Sequence, residues 1–269
     1  MARAGKVTPT YGILIGCSCR AGCLDLGLAA LGSVIKKGFR VAAITITPLL
    51  KGLCAKKKTN DAIIILHRMT ELGCMPNVFS YSVLLKGFCH EGRSHEALEL
   101  LHMMADDGGD CPSDVVSYNT VINGFLKEGQ LKEAIGFFEK MCSDGVEPDV
   151  VTYSSLMDYL CKNGRCKEAR TIFDSIVKKG LEPTITTYGI LLQGYATEGA
   201  LLEMHKLMDL MIQNGVQPDH HVFNILICAY VKWGKIDEAL LEVSKMRQQG
   251  LSPNVVTYGT VIDGLCKSE

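Results

Sequence analysis

The sequence predicts an all-α fold, a right-handed superhelical solenoid of helix-turn-helix repeats, each 35 residues long. Three observations carry this. First, Val115–Asp149 runs without a gap into Val150–Thr184, and both follow one template: V-V-[ST]-Y, an apolar run, Gly, E-A, an apolar run, Gly, E-P. Self-similarity at a fixed period of this size marks a repeat array. Second, the apolar spacing inside each copy is helical. Tyr118, Val121, Ile122, Phe125 and Leu126 recur at i, i+3, i+4, i+7 and i+8, and Leu131, Ala134, Ile135, Phe138 and Met141 form a second such stripe. Third, one glycine recurs after the second helix, at Gly38, Gly73, Gly108, Gly145, Gly180, Gly215 and Gly250. A left-handed helix terminus is what glycine tolerates best. Two short helices cannot bury their apolar faces alone, whereas stacked pairs can, and a small rotation per pair winds the stack into a superhelix with a concave groove.

The register set by Val115 orders the whole chain. Residues 1–7 form a short leader, too brief to read as a targeting segment. Repeat one, 8–42, is degenerate: it keeps Tyr11, Gly22 and Gly38 but lacks the terminal Pro. Repeat two is 43–77. Repeat three, 78–114, carries a two-residue insertion in the loop DDGGDCPSD. Repeats four to seven are 115–149, 150–184, 185–219 and 220–254. A truncated repeat eight, 255–269, holds one helix, which reads as an interruption of the array rather than a designed cap. Within repeat four, Gly129 ends the first helix, Gly145 ends the second, and Pro148 blocks continuation. Ser117, Thr152, Thr187 and Thr257 are expected to cap the first helices.

Composition bounds the chemistry. Formal net charge is −1, so no global basic excess announces nucleic acid, and any basic surface is local. Twelve cysteines without a secretory signal favour a reducing compartment over a disulfide framework. Cys19, Cys54, Cys89, Cys161 and Cys266 share the twelfth position of their repeats, which predicts small packing residues on the buried face of the first helix. Cys17, Cys19 and Cys23 match no usual zinc spacing, and no metal or cofactor is expected. There is no apolar run of the roughly 20 residues that span a bilayer, no phosphate loop and no nucleophile–base set. The chain therefore reads as a non-enzyme without a membrane or small-molecule partner.

The motif V-[VT]-[ST]-Y-[NSG]-x-[LVI]-[ILM], then G, E-A, M and G-[VL]-x-P-[DN] at a 35-residue period resembles the pentatricopeptide repeat family, P class. LLKGFCHEGRSHEALELLHMM and SYNTVINGFLKEGQLKEA are similar to the plant restorer-of-fertility members of that family. The tetratricopeptide signature is absent, and the single Trp is Trp233. The resemblance implies single-stranded RNA as partner, about one base per repeat read by two or three side chains. It implies action on mitochondrial transcripts in processing, stability or translation, with a chloroplast address as the alternative and no transit peptide visible in this chain. Any nuclease would be supplied in trans.

The same resemblance assigns base readout to the fifth and last residues of each repeat. These are Thr47 with Asn77, Ser82 with Asp114, Asn119 with Asp149, Ser154 with Thr184, Gly189 with Asp219, and Asn224 with Asn254. The first three pairs favour A, G and U and the last favours C, giving 5′-AGUNNC-3′ across repeats two to seven. Gly12 and Ala42 of repeat one form no readable pair. The competing reading of the last column is turn and capping chemistry after Pro. The second residues, Ile44, Phe79, Val116, Val151, Thr186, His221 and Val256, are assigned to wedging between bases, against ordinary core packing. Arg20, His90, Lys127, Lys162, Lys232 and Lys267 share the thirteenth position. Eleven helical residues turn about 1100°, which leaves this column about 20° from the second-residue column and suits phosphate contact. Its competitor is charge complementing the helix dipole. Glu96, Glu133, Glu168, Glu203 and Glu238 recur on the second helix, away from that face. Two further functions stay open at this point: an α-solenoid protein–protein scaffold, and a truncated inactive relative of a restorer protein.

Overall fold

A computed structural model describes residues 8–39, 41–106 and 114–267. The leader, Gly108 and most of the lengthened loop of repeat three lie outside the described residues. The described residues are helical and hold no strand: α1 (Thr8–Arg20), α2 (Leu24–Lys36), α3 (Ala43–Ala55), α4 (Thr59–Glu71), α5 (Val78–His90), α6 (Ser94–Asp106), α7 (Val115–Lys127), α8 (Leu131–Ser143), α9 (Val150–Lys162), α10 (Cys166–Lys178), α11 (Ile185–Glu198), α12 (Leu201–Gln213), α13 (His220–Lys232), α14 (Ile236–Gln248) and α15 (Val255–Lys267). No described helix is long and apolar enough to cross a membrane.

The chain divides into two compact bodies, 1–147 and 148–269. In the first, the odd-numbered helices α1, α3, α5 and α7 pack side by side, each even-numbered helix packs on its own partner, and α2, α4 and α6 also lean on the next odd helix. The second body repeats this plan with α9, α11, α13 and α15 as the continuous layer and α10, α12 and α14 behind it. Each body is thus an α-solenoid of helix pairs, as the period requires.

Its core is columnar. Tyr118, Val121, Ile122 and Phe125 are buried as the apolar spacing requires. Along α8, Ala134 and Met141 are buried as the spacing requires, whereas Ile135 is 42% exposed and Phe137, which faces α7, is buried instead. The ring of Phe137 stacks on Tyr118, with centroids 5.0 Å apart.

Three polar or steric devices recur. The fourth-residue tyrosine is tied to the residue that caps the second helix of its own repeat: Lys37 donates to Tyr11 at 2.9 Å, Lys179 to Tyr153 at 2.6 Å and Asn214 to Tyr188 at 2.8 Å, and Tyr118 donates to Asp144. A glutamate just after an odd helix reaches back to the start of the preceding even helix. Glu128 accepts from the Ser94 backbone N–H at 3.0 Å, Glu198 from that of Cys166 at 3.3 Å, and Glu91 from the Thr59 hydroxyl at 2.7 Å. The first two bonds satisfy orphan backbone donors at helix N-termini, and all three place a negative charge where the dipole favours it.

The third device is a close approach between adjacent odd helices. An added Cβ at Gly87 would lie 2.7 Å from the Cys54 sulfur, at Gly124 2.6 Å from that of Cys89, and at Gly194 2.8 Å from that of Cys161. Cysteine at position twelve therefore faces glycine at position ten of the next repeat. Burial pushes the Cys54, Cys89 and Cys161 thiols up to about 11, so at neutral pH they are protonated packing groups. Cys266, expected on the buried face, is exposed: among the described residues only α13 and α14 pack against α15. Pro48 lies inside α3 and removes the N–H that would reach Ile44, yet the helix continues through it.

Gly124→Ala is expected to cost about 1–3 kcal/mol by overpacking. Gly136→Ala, in open space on α8, should be neutral or stabilising by up to about 1 kcal/mol through helix propensity. Urea denaturation of both variants measures the difference, and equal midpoints would refute the steric role of the glycine column.

Candidate nucleic-acid interface

The site is built from the first turn of each odd helix. The backbone turns extended at the residue before the helix, and that residue's side chain closes the first turn. Asn77 accepts from the Ser80 backbone N–H at 3.0 Å, Asp114 from Ser117 at 2.9 Å, Asp149 from Thr152 at 2.9 Å, Thr184 from Thr187 at 3.3 Å, Asp219 from Val222 at 2.9 Å and Asn254 from Thr257 at 3.1 Å. The last residue of each repeat is therefore the N-cap. Ser117, Thr152, Thr187 and Thr257, expected as caps, are instead buried third helical residues. In α9 and α11 the Thr hydroxyl returns a bond to the N-cap backbone, completing a capping box.

Capping commits one atom only. In Asn77, Asp114, Asp219 and Asn254 the bonds go to Oδ1. The second atom is a donor amide nitrogen in Asn and an acceptor oxygen in Asp. In Thr184 the cap occupies the only hydroxyl. The last column thus performs the capping chemistry through Oδ1, and each Asp or Asn in it carries a second polar atom.

The fifth residues lie one turn along. Asn119 is 8% exposed, and Thr47, Ser82, Ser154 and Asn224 are half-buried. Thr47 donates to the Ala43 carbonyl at 2.8 Å and Ser82 to that of Val78 at 2.7 Å, so both turn acceptor lone pairs away from their own helix. Ser154 and Thr187 hydroxyls lie 3.3 Å apart, and Asn224 accepts from the Thr257 hydroxyl at 2.8 Å. Gly189 is buried and brings no side chain.

The second residues separate surface from core. Ile44 is 82% exposed, Phe79 74%, Val116 53%, Val151 58% and Val256 60%, and Thr186 and His221 are exposed too. They do not pack between repeats. Within each body they face outward beside the fifth and last residues; those of the first body are all apolar, and in the second Thr186 and His221 stand between Val151 and Val256.

The basic column is also on the surface. Arg20, His90, Lys127, Lys162, Lys232 and Lys267 are all exposed. Recesses between adjacent odd helices gather them with the other columns. One of 400 Å³ between α1 and α3 is lined by Arg20, Thr47, Pro48 and Lys51. Another of 460 Å³ joins Gly12, Arg20, Ala42 and Ile44, and a third, of 570 Å³ between α13 and α15, is lined by Lys232, Asp263 and Lys267. Two cations are shared with carboxylates one turn away: Lys162 with Asp158 and Lys267 with Asp263, both at 2.6 Å. Lys232 lies over the Trp233 ring, 5.8 Å from its centroid. Exposed Lys51 and Lys86 occupy the ninth position, where Asp158 and Asp263 stand in other repeats. Their i−4 spacing from the thirteenth column puts them on the same helix face, a signal the sequence also carries. Of the second-helix glutamates, Glu96 and Glu168 are paired with Arg93 and Arg165, whose guanidinium hydrogen bonds hold both carboxyls below their ordinary range.

Comparison with known proteins places these helix pairs. Residues 41–90, 113–161, 148–197 and 220–267 match the profile described as PPR repeat family, and 9–39, 79–109 and 186–216 match that described as PPR repeat. Over 86 residues the chain is 76% identical to Protein Rf1, mitochondrial, of Oryza sativa subsp. indica, covering 30% of this chain and 11% of that protein. It is similar to the crystal structure of pentatricopeptide repeat protein PPR10 in complex with an 18-nt psaJ RNA element, at 27% identity and a TM-score of 0.72, over 97% of this chain and 38% of that one. The PPR domain of Arabidopsis thaliana protein-only RNase P 1, in complex with tRNA, shares the fold at 17% identity and a TM-score of 0.54, over 67% of this chain and 94% of that one. The chain thus spans well under half the length of Rf1 and PPR10.

Exposure of the second residues has a measurable consequence. Phe79→Ala is expected to change stability by less than about 0.5 kcal/mol, and Phe88→Ala, at 1% exposure in the same helix, to cost about 3–5 kcal/mol. Thermal or urea unfolding distinguishes them, and a large loss at Phe79 would return that column to the core.

Proposed function

Because the chain belongs to the pentatricopeptide repeat family, we propose that it binds single-stranded RNA in a sequence-dependent way, one nucleotide per repeat, with the preference 5′-AGUNNC-3′. The observation that carries this is the outward placement of apolar second residues: Ile44, Phe79 and Val116 in one body, and Val151 and Val256 in the other. Large apolar side chains repeatedly exposed at one register position are not needed to hold the solenoid together. They suit the faces of successive unstacked bases.

Donor–acceptor logic supports the base choices. With Oδ1 committed to the cap, an Asp in the last column presents an acceptor and an Asn presents a donor. Uracil and guanine carry an N–H at the centre of the Watson–Crick edge, and cytosine and adenine carry an unprotonated nitrogen there. Asp114 and Asp149 therefore suit G and U, and Asn77 and Asn254 suit A and C. Thr184, whose hydroxyl is consumed by its cap, and Gly189, with no side chain, leave the fourth and fifth bases unread. Arg20, Lys51, Lys86, Lys127 and Lys232 would meet phosphates, with Lys162 and Lys267 contributing less because each shares its charge with an aspartate.

The partial identity to Rf1 supports a restorer-like role on mitochondrial transcripts, in processing, stability or translation. In this reading the chain is an adaptor without chemistry of its own, and any cleavage comes from a nuclease in trans.

Fluorescence anisotropy tests the proposal. The hexamer AGUAAC is expected to bind about tenfold or more tighter than a scrambled hexamer. The slope of log K against log salt should be about −0.7 for each phosphate neutralised. Equal affinity for both RNAs refutes base readout, and no RNA binding at all favours the protein-scaffold reading. Asn119→Ser combined with Asp149→Asn should move the third-base preference from U towards A, and an unchanged preference refutes the assigned register.

A further inference from the structure

We infer that the third residue of an odd helix, where it carries a hydroxyl, is a positioning residue for the base-reading side chain of the preceding repeat, and that the Thr257 hydroxyl sets which face of the Asn224 amide meets the base. This rests on the readout proposed above and adds a residue outside the fifth and last columns.

Thr257 is 1% exposed and so cannot itself touch a base. Its hydroxyl lies between both readers of repeat seven. It donates to Asn224 Oδ1 at 2.8 Å, lies 3.2 Å from Asn254 Oδ1, and accepts from the Asn254 backbone N–H at 3.3 Å. Asn254 Oδ1 is in turn held by the Thr257 backbone N–H at 3.1 Å. One buried side chain thus holds the carbonyl ends of two amides. Both amide nitrogens are left as donors, and two donors match the N3 and O2 acceptors of cytosine. An unrestrained amide flips at little cost, and a flipped Asn224 would present an acceptor there instead.

The juxtaposition is not confined to one place. The Thr187 hydroxyl lies 3.3 Å from Ser154 Oγ and 3.1 Å from Thr184 Oγ1, the two readers of repeat five. A Cβ added at Gly12 would lie 3.5 Å from Thr45 Oγ1. In α13 the position holds Val222, which has no hydroxyl, and the preceding pair there is Gly189 with Asp219.

The test uses the full chain and RNAs that differ only at the sixth base. Wild type should prefer C. Thr257→Val, nearly isosteric, should lower the C-over-U preference about fivefold to tenfold while the third-base preference for U, read by Asn119 and Asp149, stays as in wild type. Thr257→Ser, which keeps the hydroxyl, should restore the preference. An equal loss of affinity for all four sixth bases would make Thr257 merely structural and overturn the inference. A wild-type chain indifferent to the sixth base would sink the readout itself, which is a different result. A gain of preference provides a second route that does not depend on the stability of α15. Gly189→Asn with Val222→Thr should acquire a fifth-base preference for U beside Asp219, and Gly189→Asn alone should acquire a weaker one. Equal preferences in the single and double variants would overturn the inference.

Discussion

Each odd helix after the second repeat boundary is closed by a side chain belonging to the residue just before it, and the rest of the site follows from that bond. The cap fixes where the helix starts. Its start fixes that the first helical turn holds an outward second residue, an inward third and a fifth that points back beside the cap. Because the chain must extend into the cap and then coil, one residue with two polar atoms serves turn chemistry with the first and leaves the second for the proposed base contact. Asp149 and Asn254 are caps first, and the direction of that bond determines what they offer to a ligand.

The spacing between repeats has a separate cause. Odd helices approach closely because glycine at position ten makes room for cysteine at position twelve, as at Gly87 beside Cys54 and Gly194 beside Cys161. Dense packing of this kind leaves little slack for adjustment. The tyrosine ties within a repeat and the glutamate ties between neighbours add directional bonds to that contact, so the residues proposed to read bases sit on, or directly cap, rigid helices. Sites on helices hold their geometry better than sites on loops.

Much of this was legible in the sequence, because a 35-residue period compares one segment with its own copies. Helix pairs, the left-handed glycines and the Tyr118–Phe125 core face come directly from that comparison. The caps were displaced by three residues. In D-x-x-T and N-x-x-T either end can bond the other, and only the backbone angles tell which residue precedes the helix. Ala134 and Met141 of the α8 stripe are legible too, but Ile135 fits helical spacing as well as Phe137 does, and only packing against α7 decides between them. The glycine column at position ten carried no local signal, since a mid-helix glycine reads as a cost until its partner is known. The exposure of Phe79 and Ile44 ran against their chemistry: a large apolar residue inside a periodic array is expected in a core, and here it faces out.

The central claim is that matching positions in successive helix pairs meet successive nucleotides. Selection of bound RNAs from a random pool by the full chain tests it without presuming a sequence. Asn119 and Asn224 stand three repeats apart, so the account predicts an enriched U followed by an enriched C three nucleotides downstream, with weak selection between them. Enrichment of U and C at no fixed separation, or at a separation other than three, would contradict it.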